Sequence, residues 1–336
     1  LILVTGLGLF SRVQNIPNLD GQYLVSPDDP YIFLRYSEYV AENGELMAND
    51  TMRYYPMGIN VKGENLGTAY LAAGMFKVAQ AFNPDTTMYD VAAWFAPILF
   101  TISIPLFFLL SDEIFKDKLI SLLATCFFAF SPAILFRTAA GFLEKEPLFM
   151  PLFLISMFLF LRAYNQKNKR KLYAYATGSG IFTGLTAFSS GLYIFAIIYI
   201  FLLIFVETIL NKIDTNKLKV YLTWLVLTVL VTTSLTTKYG TILTFYESMQ
   251  FQIALSGLVF VASAIYIPKP KSLDILPKGL FSVLCAIGIL FMGGSILLGA
   301  QFFETIGHVS NKVQNPGAMN AFGQSVSENQ PPTFLG

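Results

Sequence analysis

Two acidic residues one position apart, Glu144 and Glu146, stand directly before Pro147. A proline disfavours helical backbone for the residue before it, and in extended chain residues two apart point the same way. The spacing therefore predicts two carboxylates facing one site, with Lys145 turned elsewhere; on a helix the pair would diverge by about 200°. Neighbouring carboxylates repel unless a proton or cation lies between them, and hard oxygen ligands suit Mg²⁺ or Mn²⁺. The simpler reading is two exposed charges balanced by Arg137 and Lys145. Asp29 and Glu328 are two further acids, far from the first pair and from each other in sequence. Four carboxylates gathered at one membrane face would suit a cation-assisted transfer reaction, so the question becomes which elements gather them.

Of the 336 residues, 54% are hydrophobic and 13% charged, and the mean hydropathy is +0.59. Such a chain reads as a polytopic membrane protein. A span needs roughly 20 apolar residues to cross about 30 Å of hydrocarbon. The expected spans are 90–110, 119–136, 148–163, 172–188, 192–210, 220–236, 249–267 and 280–300. Leu1 to Phe10 reads as the outer half of another span whose start precedes the sequence. Cys126 and Cys285 fall inside spans and read as buried thiols, and a net charge of +1 gives no argument for nucleic acid.

Lys and Arg collect in cytoplasmic loops. The connections 111–118, 164–171, 211–219 and 268–279 are basic and are placed inside. The apolar run 172–210 is basic at both ends, so it must cross twice and turn near Ser189, Ser190 and Gly191. Segments 11–89, 137–147, 237–248 and 301–336 then lie outside, and most of the acidic residues lie in them. Trp94 and Trp224 fall near span ends, where amphipathic rings favour the interface.

In the long outer segment 11–89, Asp29 fits the N-cap of a helix and Pro30 its first residue. Ile32, Phe33, Tyr36, Tyr39 and Val40 form its apolar stripe, and Gly44 ends it. Asp29 reads equally as a cap and as a ligand, since a carboxylate has lone pairs for both. Asn49-Asp50-Thr51 is an acceptor sequon on the outer face. Segment 301–336 is polar, and its composition alone reads as a disordered tail. His308, the single histidine, has no visible partner and receives no role. No nucleophile elbow, phosphate-binding glycine loop or zinc pattern is visible.

Asp28-Asp29-Pro30-Tyr31, Arg137-Thr138-Ala139-Ala140-Gly141-Phe142-Leu143-Glu144-Lys145-Glu146 and Ser325-Val326-Ser327-Glu328-Asn329 occur in that order on one face. Together they resemble the motifs of the catalytic subunit of oligosaccharyltransferase, nearest in form to the archaeal single-subunit type, over essentially the whole chain. The resemblance implies an all-α, polytopic transmembrane helix bundle of the lipid-phosphate-dependent glycosyltransferase class (GT-C). It also implies transfer of a glycan from a dolichyl-phosphate or diphosphate carrier to Asn of Asn-x-Ser/Thr. Asp29, Glu144 and Glu146 would hold Mn²⁺ or Mg²⁺, and Asp29 and Glu328 would be catalytic, accepting hydrogen bonds from the acceptor amide. Arg137 is a candidate for the donor phosphate or for a structural ion pair. The implied partners are a lipid-linked oligosaccharide, an acceptor polypeptide and membrane lipid. The implied location is the plasma membrane, as a multi-pass protein with its active site on the extracytoplasmic face.

Two departures accompany the resemblance. Glu144 stands where the family has Asp, and the family's Trp-Trp-Asp-Tyr-Gly motif is not in this sequence. The chain therefore reads as a fragment: a transmembrane domain over 1–300, the start of a fifth outer loop over 301–336, and no C-terminal spans or soluble domain. A lipid-dependent protein O-mannosyltransferase, a transporter and a non-catalytic scaffold are the alternatives. A transporter would place ionisable groups inside its spans, and here the spans are nearly free of them.

Overall fold

A computed structural model of the chain describes residues 1–19, 24, 29–236, 238–273 and 275–298. Helix α1 (Ile2–Val13) is followed by an outer segment with α2 (Asp29–Asn43), a short antiparallel pair β1 (Asn49–Asp50) and β2 (Ile59–Asn60), and α3 (Gly67–Phe82). The bundle continues with α4 (Met88–Phe115), α5 (Lys118–Phe130), α6 (Pro132–Arg137), α7 (Lys145–Tyr164) and α8 (Lys169–Ser189). It ends with α9 (Ile194–Ile209), α10 (Thr215–Leu235), α11 (Met249–Tyr266) and α12 (Lys278–Leu298). The architecture is all-α. Five helical segments among the described residues are long and apolar enough to cross a membrane: α4, α7, α9 with its preceding turn, α10 and α11. Helix α5 and the apolar part of α12 are shorter.

The run 172–210 is broken where the charge pattern required. Helix α8 ends at Ser189, Ser190 is extended, and a single 3₁₀ turn over Gly191–Tyr193 leads into α9. The expected span 119–136 is not one helix. Pro132 lacks an amide donor and holds Ser131 in extended geometry (φ −60°, ψ 123°), so α5 stops and α6 starts anew.

Polar side chains and small residues hold the bundle centre. Ser156 of α7 and Thr183 of α8 share a hydrogen bond of 2.6 Å, and the Trp224 indole of α10 donates to the same Thr183 hydroxyl at 2.9 Å. Such bonds matter in an apolar bundle, where the association of helices rests on packing and interhelical hydrogen bonding. At Gly184 a Cβ would meet Val231 Cβ at 2.5 Å, so glycine is what lets α8 approach α10. Trp224 is therefore not an interfacial anchor: it is 0% exposed, its N–H satisfied inside the protein, while Trp94 is 43% exposed. Cys126 and Cys285 are free and half-buried rather than fully buried.

Helix ends sort into two faces. At one, Glu113 of α4 pairs with Lys116 at 2.6 Å and with Arg162 of α7 at 3.1 Å. Beside Arg162, Tyr164 of α7 carries Lys217 of α10 over its ring at 4.6 Å, and Lys217 also pairs with Glu207 of α9. These ends border the basic connections 111–118, 164–171 and 211–219. At the opposite ends, Asn65 donates to the Ala187 carbonyl of α8 at 2.8 Å and accepts from Lys238 at 2.6 Å. The Thr68 hydroxyl donates to the Glu144 carbonyl at 3.3 Å. The segments read as outer thus meet one another.

Candidate active site

The loop from α6 to α7 carries the acidic pair. Gly141 turns it at φ +86°, a conformation that favours glycine, and its amide donates to the Ala93 carbonyl of α4 at 3.1 Å. One step earlier, the Ala140 amide donates to the Arg12 carbonyl of α1 at 2.8 Å. Glu144 follows as the N-cap of α7 in extended backbone (φ −137°, ψ −173°). It is 5% exposed, and its carboxylate accepts from the Arg137 guanidinium at 3.2 Å.

Glu146 does not sit in extended chain as Pro147 was expected to dictate. Helix α7 begins at Lys145, so Glu146 and Pro147 lie in its first turn. There amides have no intrahelical partner, and a proline removes no bond. The two carboxyls come together all the same, from the extended cap and the first turn, close enough for Glu146 to act on Glu144. Lys145 turns away, over the Phe33 ring at 5.6 Å. The Glu146 Oε2 atom is buried and has no hydrogen-bond partner among the described residues.

Burial pushes the Glu144 carboxyl up to about 8, and repulsion and hydrogen bonding from Glu146 add to the rise. Arg137 opposes it, and the Asp29 charge adds a smaller rise. Asp29 is thus close enough to act on Glu144, from the first residue of α2 rather than the cap before it, and it is exposed. The stripe behind it is partly as expected: Phe33, Tyr36 and Val40 are buried, with Leu34 and Ser37, while Ile32 and Tyr39 are half-buried.

Glu144 and Glu146 are neither exposed nor simple surface charges. A carboxylate pair with Glu144 buried, Glu146 half-buried and one buried oxygen without a partner among the described residues fits a hard cation. Among the described residues, however, no group of three His, Cys, Asp or Glu side chains is placed to hold one. Glu328, His308 and the rest of 299–336 lie outside the described residues.

Sequence reasoning missed Arg12, whose side chain is 0% exposed and donates to Thr138 Oγ1 in the same loop at 2.7 Å. The available signal was a lone basic residue at the outer end of an apolar run, against the charge bias.

The chain is an all-α bundle with helices long and apolar enough to cross a membrane and an acidic pair at one set of helix ends, and its class, the GT-C glycosyltransferases, follows from the family it matches. The family model for oligosaccharyl transferase STT3, N-terminal, matches residues 17–313, and the chain belongs to that family. No curated protein matches it in sequence. Among solved structures, the oligosaccharyltransferase of Archaeoglobus fulgidus in the apo form is similar, with TM-score 0.74 and 20% identity over 95% of this chain and 40% of that one. The same organism's enzyme AglB, in complex with an inhibitory peptide and a dolichol-phosphate, matches with TM-score 0.71 and 18% identity over 97% of this chain and 40% of that one. A third, the A. fulgidus enzyme in complex with Zn and sulfate, gives TM-score 0.67 and 21% identity over 93% of this chain and 43% of that one. The chain spans about two fifths of the length of these structures.

Proposed function

We propose that this chain carries the membrane part and acidic centre of an oligosaccharyltransferase. The enzyme moves a glycan from a dolichyl-phosphate or diphosphate carrier to Asn of Asn-x-Ser/Thr. The observation that carries the reading is the pairing of buried Glu144 with half-buried Glu146, whose buried Oε2 has no partner among the described residues, in a chain of this family. Relatives solved with dolichol-phosphate, and with an acceptor peptide containing the NVT sequon, support the substrate classes. One solved with Zn supports a cation. The protein is multi-pass in the plasma membrane, with this centre on the extracytoplasmic face.

Glu144 and Glu146, with Asp29 drawn in from its exposed position at the start of α2, are the residues that would hold Mn²⁺ or Mg²⁺. A bound cation would neutralise the carboxylate pair and fix its position. Asp29 and Glu328 accept hydrogen bonds from the N–H groups of the acceptor amide. An amide nitrogen is a poor nucleophile, because its lone pair is delocalised into the carbonyl; gripping both N–H groups twists against that delocalisation. The nitrogen bonds to the anomeric carbon, the carbon–oxygen bond to phosphate breaks on the opposite face with the phosphate leaving on its lipid, and the amide passes one proton to a carboxylate that holds its N–H, so the anomeric centre inverts. Arg137 balances Glu144, and its partly exposed guanidinium faces the incoming phosphate. The donor reaches the site from the bilayer, where its chain stays out of water.

The test uses the full-length protein in membranes with lipid-linked glycan and a fluorescent Asn-x-Thr peptide. Glycopeptide formed with Mn²⁺ and lost with chelator is the expected result. No glycopeptide from folded protein under either condition contradicts the reading.

A further inference from the structure

We propose that Arg12 is a positioning residue for the acidic centre, clamping Thr138 and Ala140 so that Arg137, Glu144 and Glu146 are held in register. The inference rests on the reading of that centre as the catalytic one. It begins from a cost. Arg12 is 0% exposed in an apolar bundle, and among the described residues no carboxylate pairs with it. A buried charge without a counter-ion is expensive, and it persists where something else requires it.

Its hydrogen bonds say what that is. Nε donates to Thr138 Oγ1 at 2.7 Å, one Nη to the Gly8 carbonyl at 2.9 Å, and the other to the Ala129 carbonyl at 3.0 Å. The guanidinium lies 3.6 Å from the centroid of the Phe100 ring. Thr138 spends its one proton on the Ile134 carbonyl at 2.6 Å, so towards Arg12 its oxygen acts as acceptor and its rotamer is fixed from both sides. The Arg12 carbonyl takes the Ala140 amide at 2.8 Å, and Asn15, one turn on, donates to the Ala140 carbonyl at 2.8 Å.

The end of α1 therefore grips positions 138 and 140 through side chain and backbone. Those positions lie between Arg137 and Glu144, the two partners of the ion pair. A helix tie alone would be met by the bonds to Gly8 and Ala129. The bonds to Thr138 and Ala140 add the loop, and a shift of about 1 Å in such a support is enough to spoil a reacting geometry.

The experiment measures Mn²⁺ binding to the purified full-length protein by electron paramagnetic resonance. Thermal stability and the Mn²⁺ dependence of glycopeptide formation are measured on the same samples. The variants are Arg12→Lys, Arg12→Gln and Thr138→Val, with Asn15→Ala as a milder change that removes one hydrogen bond. Glu113→Gln, at the opposite helix ends, is the control for general loss of stability. Expected is Mn²⁺ binding weakened about tenfold or more, as for other supports of metal ligands, in Arg12→Lys and Thr138→Val. Turnover should recover in part at saturating Mn²⁺. Glu113→Gln should lower the melting temperature and leave Mn²⁺ affinity unchanged. Should Arg12→Gln fail to fold, Thr138→Val and Asn15→Ala decide the matter. Wild-type Mn²⁺ affinity in the folded Arg12 and Thr138 variants, with reduced stability, overturns the positioning role while leaving the catalytic reading intact. A wild-type protein that binds no Mn²⁺ overturns both.

Discussion

The guanidinium of Arg137 donates to the carboxylate of Glu144 at 3.2 Å, spanning the loop that joins α6 to α7. The two differ in setting: Glu144 is 5% exposed, whereas the Arg137 side chain is 41% exposed and also lies 5.4 Å from the Phe142 ring. One end of the pair is thus shielded and the other wet. Arg137 supplies the positive charge that offsets two neighbouring acids.

Replacing Arg137 by Gln removes that offset. Because the pair is open to solvent on one side, the loss of stability should be about 1 kcal/mol. Glycopeptide formation should fall well beyond what that loss implies, which a peptide assay beside thermal denaturation will show. Equal, small effects on both would leave Arg137 a structural partner only.

Glu144 gives the chain a pH dependence with a defined sign. Its folded-state value is raised to about 8, above the ordinary carboxylate value. A raised acid favours the protonated form, so its contribution is fully present below the ordinary carboxylate range and is lost as pH rises through about 8. In chelator, the melting temperature should decline as pH rises from about 5 to about 8 and level off above that, and Glu144→Gln should remove the decline. Mn²⁺ should restore stability at the alkaline end, since a cation replaces the proton.

The contact between α8 and α10 should be intolerant of volume. A Cβ at Gly184 would lie 2.5 Å from Val231 Cβ and 3.2 Å from the Thr232 amide. Gly184→Val should separate the helices and lower the yield of folded protein sharply in detergent gel filtration. Thr183→Val keeps volume but strands the Trp224 N–H, while Ser156 keeps the Ser179 carbonyl at 3.2 Å, and should cost about 1–2 kcal/mol.

In the first outer segment Asp50 is buried, paired with Arg35 and accepting from Tyr36 at 2.9 Å and from the Met52 amide at 3.1 Å. Asp50→Ala leaves Arg35 without that partner and should cost about 3 kcal/mol. The effect should appear as faster proteolysis between α2 and α3 while the α7–α10 core persists. Asn49 beside it is exposed.

Much of this was legible in the chain, and the exceptions have physical causes. Basic connections and apolar runs identified the helices and the break at Ser189 to Gly191, because charge and length act over whole segments. They missed the break at Ser131, where one proline overrides an apolar run. The pairing of Glu144 with Glu146 was readable, but its geometry was not. Pro147 was read as forcing extended chain at Glu146, whereas the helix starts two residues earlier and takes the proline into its first turn. Trp224 was placed at an interface because ring type and position alone do not reveal that Thr183 waits as a partner. Arg12 was passed over for the same reason, its partners lying more than a hundred residues away.

The most direct test of the central claim compares Glu146→Gln with the wild type in the full-length protein, reading Mn²⁺ binding by electron paramagnetic resonance and glycopeptide formation together. The account expects the amide to lose both while the protein stays folded, because it removes the charge of a carboxylate whose buried Oε2 has no partner among the described residues. Wild-type binding and transfer in that variant would show that Glu144 and Glu146 are not the acidic centre.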